Sequence, residues 1–268
     1  MKKIIPLLYL FIHWAHAQEH IHFTYLDQVD NSILFSSSFY HNQFRINDDE
    51  TYCIFTDTPR LPGYEGQRCI IDLEIALALR DIQIKLKETG PYSLKVLDAY
   101  RPQQTVDFLC TWVQLPEDPI IKQYFHPAVS KLDFHKLSYL AQKSSHSRGV
   151  AVDLTIVATS PEKQDFTSSL RPEGFLGIYD PQELDMGNVG FLAFDARSAH
   201  LCQDLTLKQA ENRKKLLSLM HNHQFRKLRS EFWHYFYKME RNEDYYFNFP
   251  IRDDYLIRES GELMIPKV

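Results

Sequence analysis

Apolar and polar positions change period several times along the chain, and each change marks an element. IIDLEIALALRDIQIKLK, residues 70–87, is apolar and charged without a break and stops before Gly90-Pro91, which predicts a helix packed into the core. YSLKVLDAY then alternates, with Leu94, Val96, Asp98 and Tyr100 against Lys95, Leu97 and Ala99; this predicts a strand that Pro102 ends. QQTVDFLCTWV predicts the next helix. GVAVDLTIV predicts a second strand, with Ala151, Asp153 and Thr155 on one face and Val150, Val152, Leu154 and Ile156 on the other. TLKQAENRKKLLSLMHNH opens with Thr206 and Gln209 at capping-box spacing and predicts a helix. SEFWHYFYKM is aromatic and β-rich, which predicts a strand.

That order, helix, strand, helix, strand, loop, helix, strand, predicts an α+β fold in a single domain: a small antiparallel core sheet with helices packed on it. DTPRLPGYEGQ is loop by its prolines and glycines. Residues 158–203 are irregular, with several Gly and Pro, and are expected to form a lid or binding loop.

Composition narrows the function classes. The chain has 268 residues, 44% hydrophobic and 24% charged, which is ordinary globular usage and enough for a sizeable core. A net charge of −5 gives no basic footprint for nucleic acid. The 18 Phe and 15 Tyr predict aromatic-lined surfaces or a heavily packed core. At the start, Lys2 and Lys3 precede an apolar run from Ile4 to Ile12, broken by Pro6, and Ala15-His16-Ala17 follows as a small-x-small site before Gln18. Residues 1–17 therefore read as a signal peptide too short to span a bilayer. Residues 18–268 are then the exported, periplasmic domain, with no membrane span. In an oxidising compartment the four cysteines allow three pairings, with Cys53–Cys69, flanking the loop, as the first expectation and four buried free thiols as the alternative.

The candidate chemistry begins in KSSHSRGVAVDLTIV, where His146 and Asp153 flank the turn-forming Gly149. A carboxylate in an apolar strand needs a cation. Arg148 supplies one as a salt bridge; a divalent metal shared with His146 is the other reading. His234 in SEFWHYF is a candidate third ligand, with Glu231 three residues before it. A His–Asp–His set leaves zinc one open position for a water whose pKa falls towards neutrality. Glu231, outside that set, suits a base that takes the water's proton and passes it to the leaving amine. In a regular strand Glu231 and His234 face opposite sides, so this reading requires a bend or a strand start between them. Arg101, at a strand end in LDAYRP, suits an oxyanion or a substrate carboxylate, although alone it reads as a surface arginine.

SSHSRGVAVDLT, with EFWHY downstream and DAYRP upstream, resembles the zinc D-alanyl-D-alanine dipeptidases, the group that includes the vancomycin-resistance dipeptidases. PGYEG, ELDMG, RSAH and AENRKKLL also look like segments of that family, so the resemblance covers most of the chain after residue 17. It implies one zinc ion per chain held by His146, Asp153 and His234. Glu231 is then the catalytic base, Arg101 the group that polarises the scissile carbonyl or holds its oxyanion, and Ser144 a pocket-lining residue. The implied substrate is a small peptide, D-Ala-D-Ala or a similar D-amino-acid dipeptide, attacked by a metal-bound water. Two pocket positions depart from the family pattern: Leu192 stands where an aspartate usually meets the substrate ammonium, and Ser38 where a tyrosine is common, with Tyr40 nearby. Asp195 is the nearest carboxylate but aligns with a different family acid. Both departures touch specificity rather than the metal site. A D,D-carboxypeptidase or related peptidoglycan peptidase is the second reading, and a cell-wall peptide-binding protein without activity the third. The retained Glu231 argues against that third reading.

Overall fold

A computed structural model describes residues 22–41, 43–46, 50–55, 60–160, 182–187, 194–237 and 245–266. The signal-like segment, Leu192 and most of the 158–203 stretch lie outside these residues.

Nine strands are described. β1 (Phe23–Tyr25) pairs antiparallel with β5 (Ile70–Asp72), and β3 (Gln43–Ile46) pairs antiparallel with β4 (Glu50–Cys53). The central sheet runs β2 (Leu34–Phe35), β6 (Tyr92–Asp98), β7 (Ala151–Ala158), β9 (His234–Tyr237), β8 (Phe225–Lys227). Every pairing in it is antiparallel except the short edge pair β2–β6. The predicted α+β class with a small, mainly antiparallel core sheet is therefore what forms.

The helix expected over residues 70–87 begins three residues late. Ile70–Asp72 is drawn into β5, because β1 offers it a ladder. Asp72 then caps the helix Leu73–Glu88, its carboxylate accepting from the N–H groups of Glu74 and Ile75. The helix ends at Thr89 beside Gly90, whose φ of 149° few side chains adopt. The helix Leu207–Asn222 has the expected capping box between Thr206 and Gln209. Leu79, Ile82 and Leu86 of the first helix, and Leu216 and Met220 of the second, are fully buried in one core with Leu94, Val96, Val152, Leu154 and Ile156 of the sheet. Each such side chain contributes roughly 1.5–3 kcal/mol of burial.

β7 is buried at all eight positions, so the face carrying Asp153 and Thr155 is covered as fully as the aliphatic face. Alternation in the sequence separates the two faces; it does not reveal that both are covered.

Several family-like segments lock together away from the sheet centre. Gln209, just before AENRKKLL, donates to the carboxylate of Asp185 in ELDMG at 2.9 Å, and Asn212 within it donates to the Asp185 carbonyl at 2.8 Å. Arg213 donates to the carbonyls of Met186, Ala199 and Arg197 at 2.5, 2.8 and 2.6 Å, tying in RSAH. Burial brings the Arg213 guanidinium down to a pKa of about 10. These segments are scaffold.

All four cysteines are among the described residues, and none forms a disulfide. The expected Cys53–Cys69 bridge is thus not found. Cys69 is instead packed in the core, where burial holds its thiol well above the usual range.

Candidate metal centre

Three neighbouring strands set the site by register. Asp153 of β7 lies opposite His234 of β9 on one side and Asp98 of β6 on the other. Facing residues of adjacent strands stand close enough for their side chains to meet. The Asp98 partnership depends on a register shift between Val96 and Asp98: Val96 pairs with Leu154, and Asp98, not Leu97, pairs with Asp153. Such an irregularity re-aims a side chain, and here it aligns two acids and a histidine across three strands.

His146 arrives from the turn before β7. Gly149, at φ 71°, closes that turn by donating to the His146 carbonyl at 3.0 Å. Ser144 Oγ accepts from the His146 N–H at 3.2 Å, so the buried Ser144 both lines the cavity and supports the ligand turn. The His146 Nδ1–H donates to the Ala99 carbonyl at 2.7 Å, which leaves Nε2 as a lone pair facing inward.

Around that lone pair, Asp153 Oδ2 lies at 3.2 Å and His234 Nδ1 at 3.1 Å, and Asp153 Oδ1 lies 2.8 Å from His234 Nδ1. The far side of His234, Nε2, meets Ser145 Oγ at 3.4 Å. All three residues are buried, and they form a group with metal-ligand potential among the described residues. Two ring nitrogens and a carboxylate turned to one point out of water form a donor set that a cation can satisfy. Their ligand atoms all lie within 4.8 Å of one another and are of the N and O types that zinc takes at about 2.0–2.2 Å. The donor set therefore fits zinc. Despite the opposing effect of burial, His146 and His234 hold the Asp153 carboxyl far below the usual range. Burial keeps His234 below the usual imidazole range, against the pull of Asp153.

The bend required before His234 is present. β9 starts at His234, and Phe232 in the preceding turn is anchored to the Ser198 carbonyl at 2.8 Å. Glu231 thereby stays on the cluster side, its Oε2 3.9 Å from His234 Nδ1, near the three clustered residues yet outside hydrogen-bond reach of them. Burial, then repulsion from Asp153, pushes its carboxyl well above the ordinary range, with Arg101 opposing.

Arg101 follows β6 and is buried, not a surface residue. Its Nε and Nη2 both reach Asp98 Oδ2, at 2.8 and 2.6 Å, and Nη2 lies 3.5 Å from Asp153 Oδ2. Its plane lies over the Phe39 ring, 4.4 Å from the centroid. The guanidinium near Asp153 is thus that of Arg101 rather than Arg148. Asp98 also accepts from the buried Tyr64 hydroxyl at 2.7 Å. Burial raises the Asp98 carboxyl, against the pull of Arg101 and His146. This Tyr64–Asp98–Arg101 support was missed in the sequence, where Asp98 reads only as a strand residue. Its signal was an acid three positions before the arginine in DAYR.

These groups open into one cavity of about 560 Å3. His146, Asp153, His234, Glu231, Arg101 and Ser144 all line it. Ser38 falls in the short helix Ser38–His41, whose neighbour Phe39 reaches the cavity wall. Asp195 is not among the described lining residues; its carboxylate caps the N–H of Arg197 and pairs with the guanidinium of that residue.

Residues 46–166 match the family model described as D-ala-D-ala dipeptidase. The D-alanyl-D-alanine dipeptidase of Enterococcus faecium is 30% identical over 232 residues, covering 87% of this chain and 99% of the relative. That of Enterococcus faecalis (strain ATCC 700802 / V583) is 32% identical over 223 residues, covering 83% and 100%. A third, from Streptomyces coelicolor, is 32% identical over 201 residues, covering 75% and 89%.

Proposed function

We propose that this chain, which belongs to the D-alanyl-D-alanine dipeptidase family of zinc metallopeptidases, hydrolyses D-Ala-D-Ala or a similar D-amino-acid dipeptide. The observation that carries the proposal is the buried convergence of His146, Asp153 and His234 beside a carboxylate that is not one of them. In this reading those three hold the ion. Bound there, zinc polarises a carbonyl and makes a water acidic near neutral pH.

The chain's own groups do the rest. Glu231 takes the proton of the attacking water and returns it to the departing amine. Its position just outside the ligand shell supports that role. Arg101 presents a fixed positive charge to the carbonyl oxygen as it becomes an oxyanion. Asp98 holds the guanidinium in place through a hydrogen bond from Nε and a 2.6 Å ion pair with Nη2, so no reorganisation is needed in the transition state. Ser144 lines the substrate space beside His146.

Assay of the purified, zinc-loaded protein on D-Ala-D-Ala beside a pentapeptide stem tests the reading. Release of D-alanine from the dipeptide supports it. Cleavage of the pentapeptide alone replaces it with the carboxypeptidase reading, and zinc content without hydrolysis of any D,D-dipeptide overturns it. Export to the periplasm belongs to the proposal too, supported by the order of charges, apolar run and small residues before Gln18. N-terminal sequencing of the secreted protein tests it; a mature protein that still begins at Met1 rejects it.

A further inference from the structure

The cavity is far from uniform. On one side stand the metal-binding group, Glu231 and Arg101. On the other stands a continuous apolar wall of Phe39, Phe55, Leu109, Trp112, Phe134 and Phe194. The rings form a chain: Phe39 to Phe55 at 5.7 Å, Phe55 to Trp112 at 5.2 Å, Trp112 to Phe134 at 6.3 Å, and Phe134 to Phe194 at 4.7 Å between centroids. The chain starts at the reacting centre, because the Phe39 ring carries the Arg101 guanidinium on its face. Among the described lining residues, the only carboxylates are Asp153 and Glu231, both on the ionic side.

Interiors built of such side chains ordinarily close-pack and leave few voids larger than a water molecule. Here they border about 560 Å3, the size range of pockets that enclose drug-sized ligands. A D-Ala-D-Ala molecule held at its scissile carbonyl beside Arg101 brings only methyl groups to this wall. Phe39, Phe55, Leu109, Trp112 and Phe134 are only 1–7% exposed, so what a ligand gains at this wall is the burial of its own apolar surface, and two methyl groups gain little.

We propose that the aromatic wall is a subsite for a bulky apolar side chain. Preferred substrates are then D-dipeptides with an aromatic or branched aliphatic residue at one of their two positions. This rests on the dipeptidase reading above and names its substrate class. Each methylene placed against such a wall favours the larger substrate several-fold, and a benzyl group in place of a methyl accumulates this to tenfold or more.

The test uses the zinc-loaded full-length protein and four substrates: D-Ala-D-Ala, D-Ala-D-Phe, D-Phe-D-Ala and D-Ala-D-Leu. The expected result is a kcat/KM at least tenfold above that of D-Ala-D-Ala for one or more of the larger three. Leu109→Phe, which narrows the subsite, should reduce that preference at least tenfold. Equal efficiencies, or D-Ala-D-Ala hydrolysed best, overturn the proposal. Fluorescence titration with the same dipeptides uses Trp112 and Trp233, which both line the cavity. If no dipeptide is cleaved, the hydrolytic reading fails, and the titration still decides the subsite. At least tenfold tighter binding of D-Ala-D-Phe or D-Phe-D-Ala than of D-Ala-D-Ala upholds it; equal affinities reject it.

Discussion

The two sides of the cavity are built by different means. The ionic side stands on adjacent strands and on the turns that enter them, so the position of each group follows from sheet register. Asp98, Asp153 and His234 form one row, and a shift of one residue in any strand would turn a member away. The aromatic side is assembled from separate pieces: the helix Gln103–Trp112, the short helix Ser38–His41, and loop residues such as Phe134 and Phe194. No register ties its members together, and each contributes area rather than a specified atom. Chemistry that depends on atoms at fixed distances sits on the rigid element. Selectivity, which sums surface, sits where substitutions have graded effects.

This contrast is open to direct challenge. Removing a ligand should have the largest effect. His234→Ala, or chelation of the wild-type protein, should abolish activity, and bound zinc measured by atomic spectrometry should fall from one equivalent towards zero. Chelation should also lower the Tm, since the ion stabilises only the folded chain. Retention of a full equivalent of zinc by the alanine variant would remove His234 from the site.

Next in size is Glu231→Ala, for which we expect kcat to fall roughly 10²–10⁴-fold with zinc retained. Equal metal loss in this variant and His234→Ala would erase the division between ligand and base. Arg101→Ala should cost about 10²–10³ in kcat, and Asp98→Asn, which acts through Arg101, roughly 10–100-fold. For Asp98→Asn the informative measurement is kcat against KM. A purely structural role would instead lower the Tm without a selective fall in kcat.

The smallest effect should come from the other side. Phe194→Ala removes one half-buried ring from the wall. KM for a bulky dipeptide should rise about tenfold, the equivalent of ~1.5 kcal/mol of lost burial, with kcat nearly unchanged. A collapse of kcat in this variant would show that the two sides are not separable.

Much of the ionic side could be read before the fold. His146, Asp153, His234, Glu231 and Arg101 sit in short segments whose residue types announce their chemistry, and all five converge on one cavity. The position of Asp98 could not be read, because strict alternation puts it in phase with Val96 whereas the register shift pairs it directly with Asp153. The start of the first long helix was displaced for a related reason: Ile70–Asp72 joins a ladder with Phe23–Tyr25, a partner remote in sequence. Cysteine pairing was misread because proximity along the chain says nothing about whether one thiol is sealed in the core, as Cys69 is.

The sequence alone determined the periodic elements, the capping box that begins the second long helix, and the identities of the groups able to bind a metal and move a proton. All of these are local: they depend on a residue and its near neighbours. Only the tertiary structure decided that Glu231 stays beside His234 but outside the His146–Asp153–His234 cluster, that Tyr64 and Asp98 hold Arg101, and that six apolar side chains from scattered segments form a single wall. Those outcomes depend on which strands pair and in what register, and pairing is settled by the free energy of burying the whole core at once.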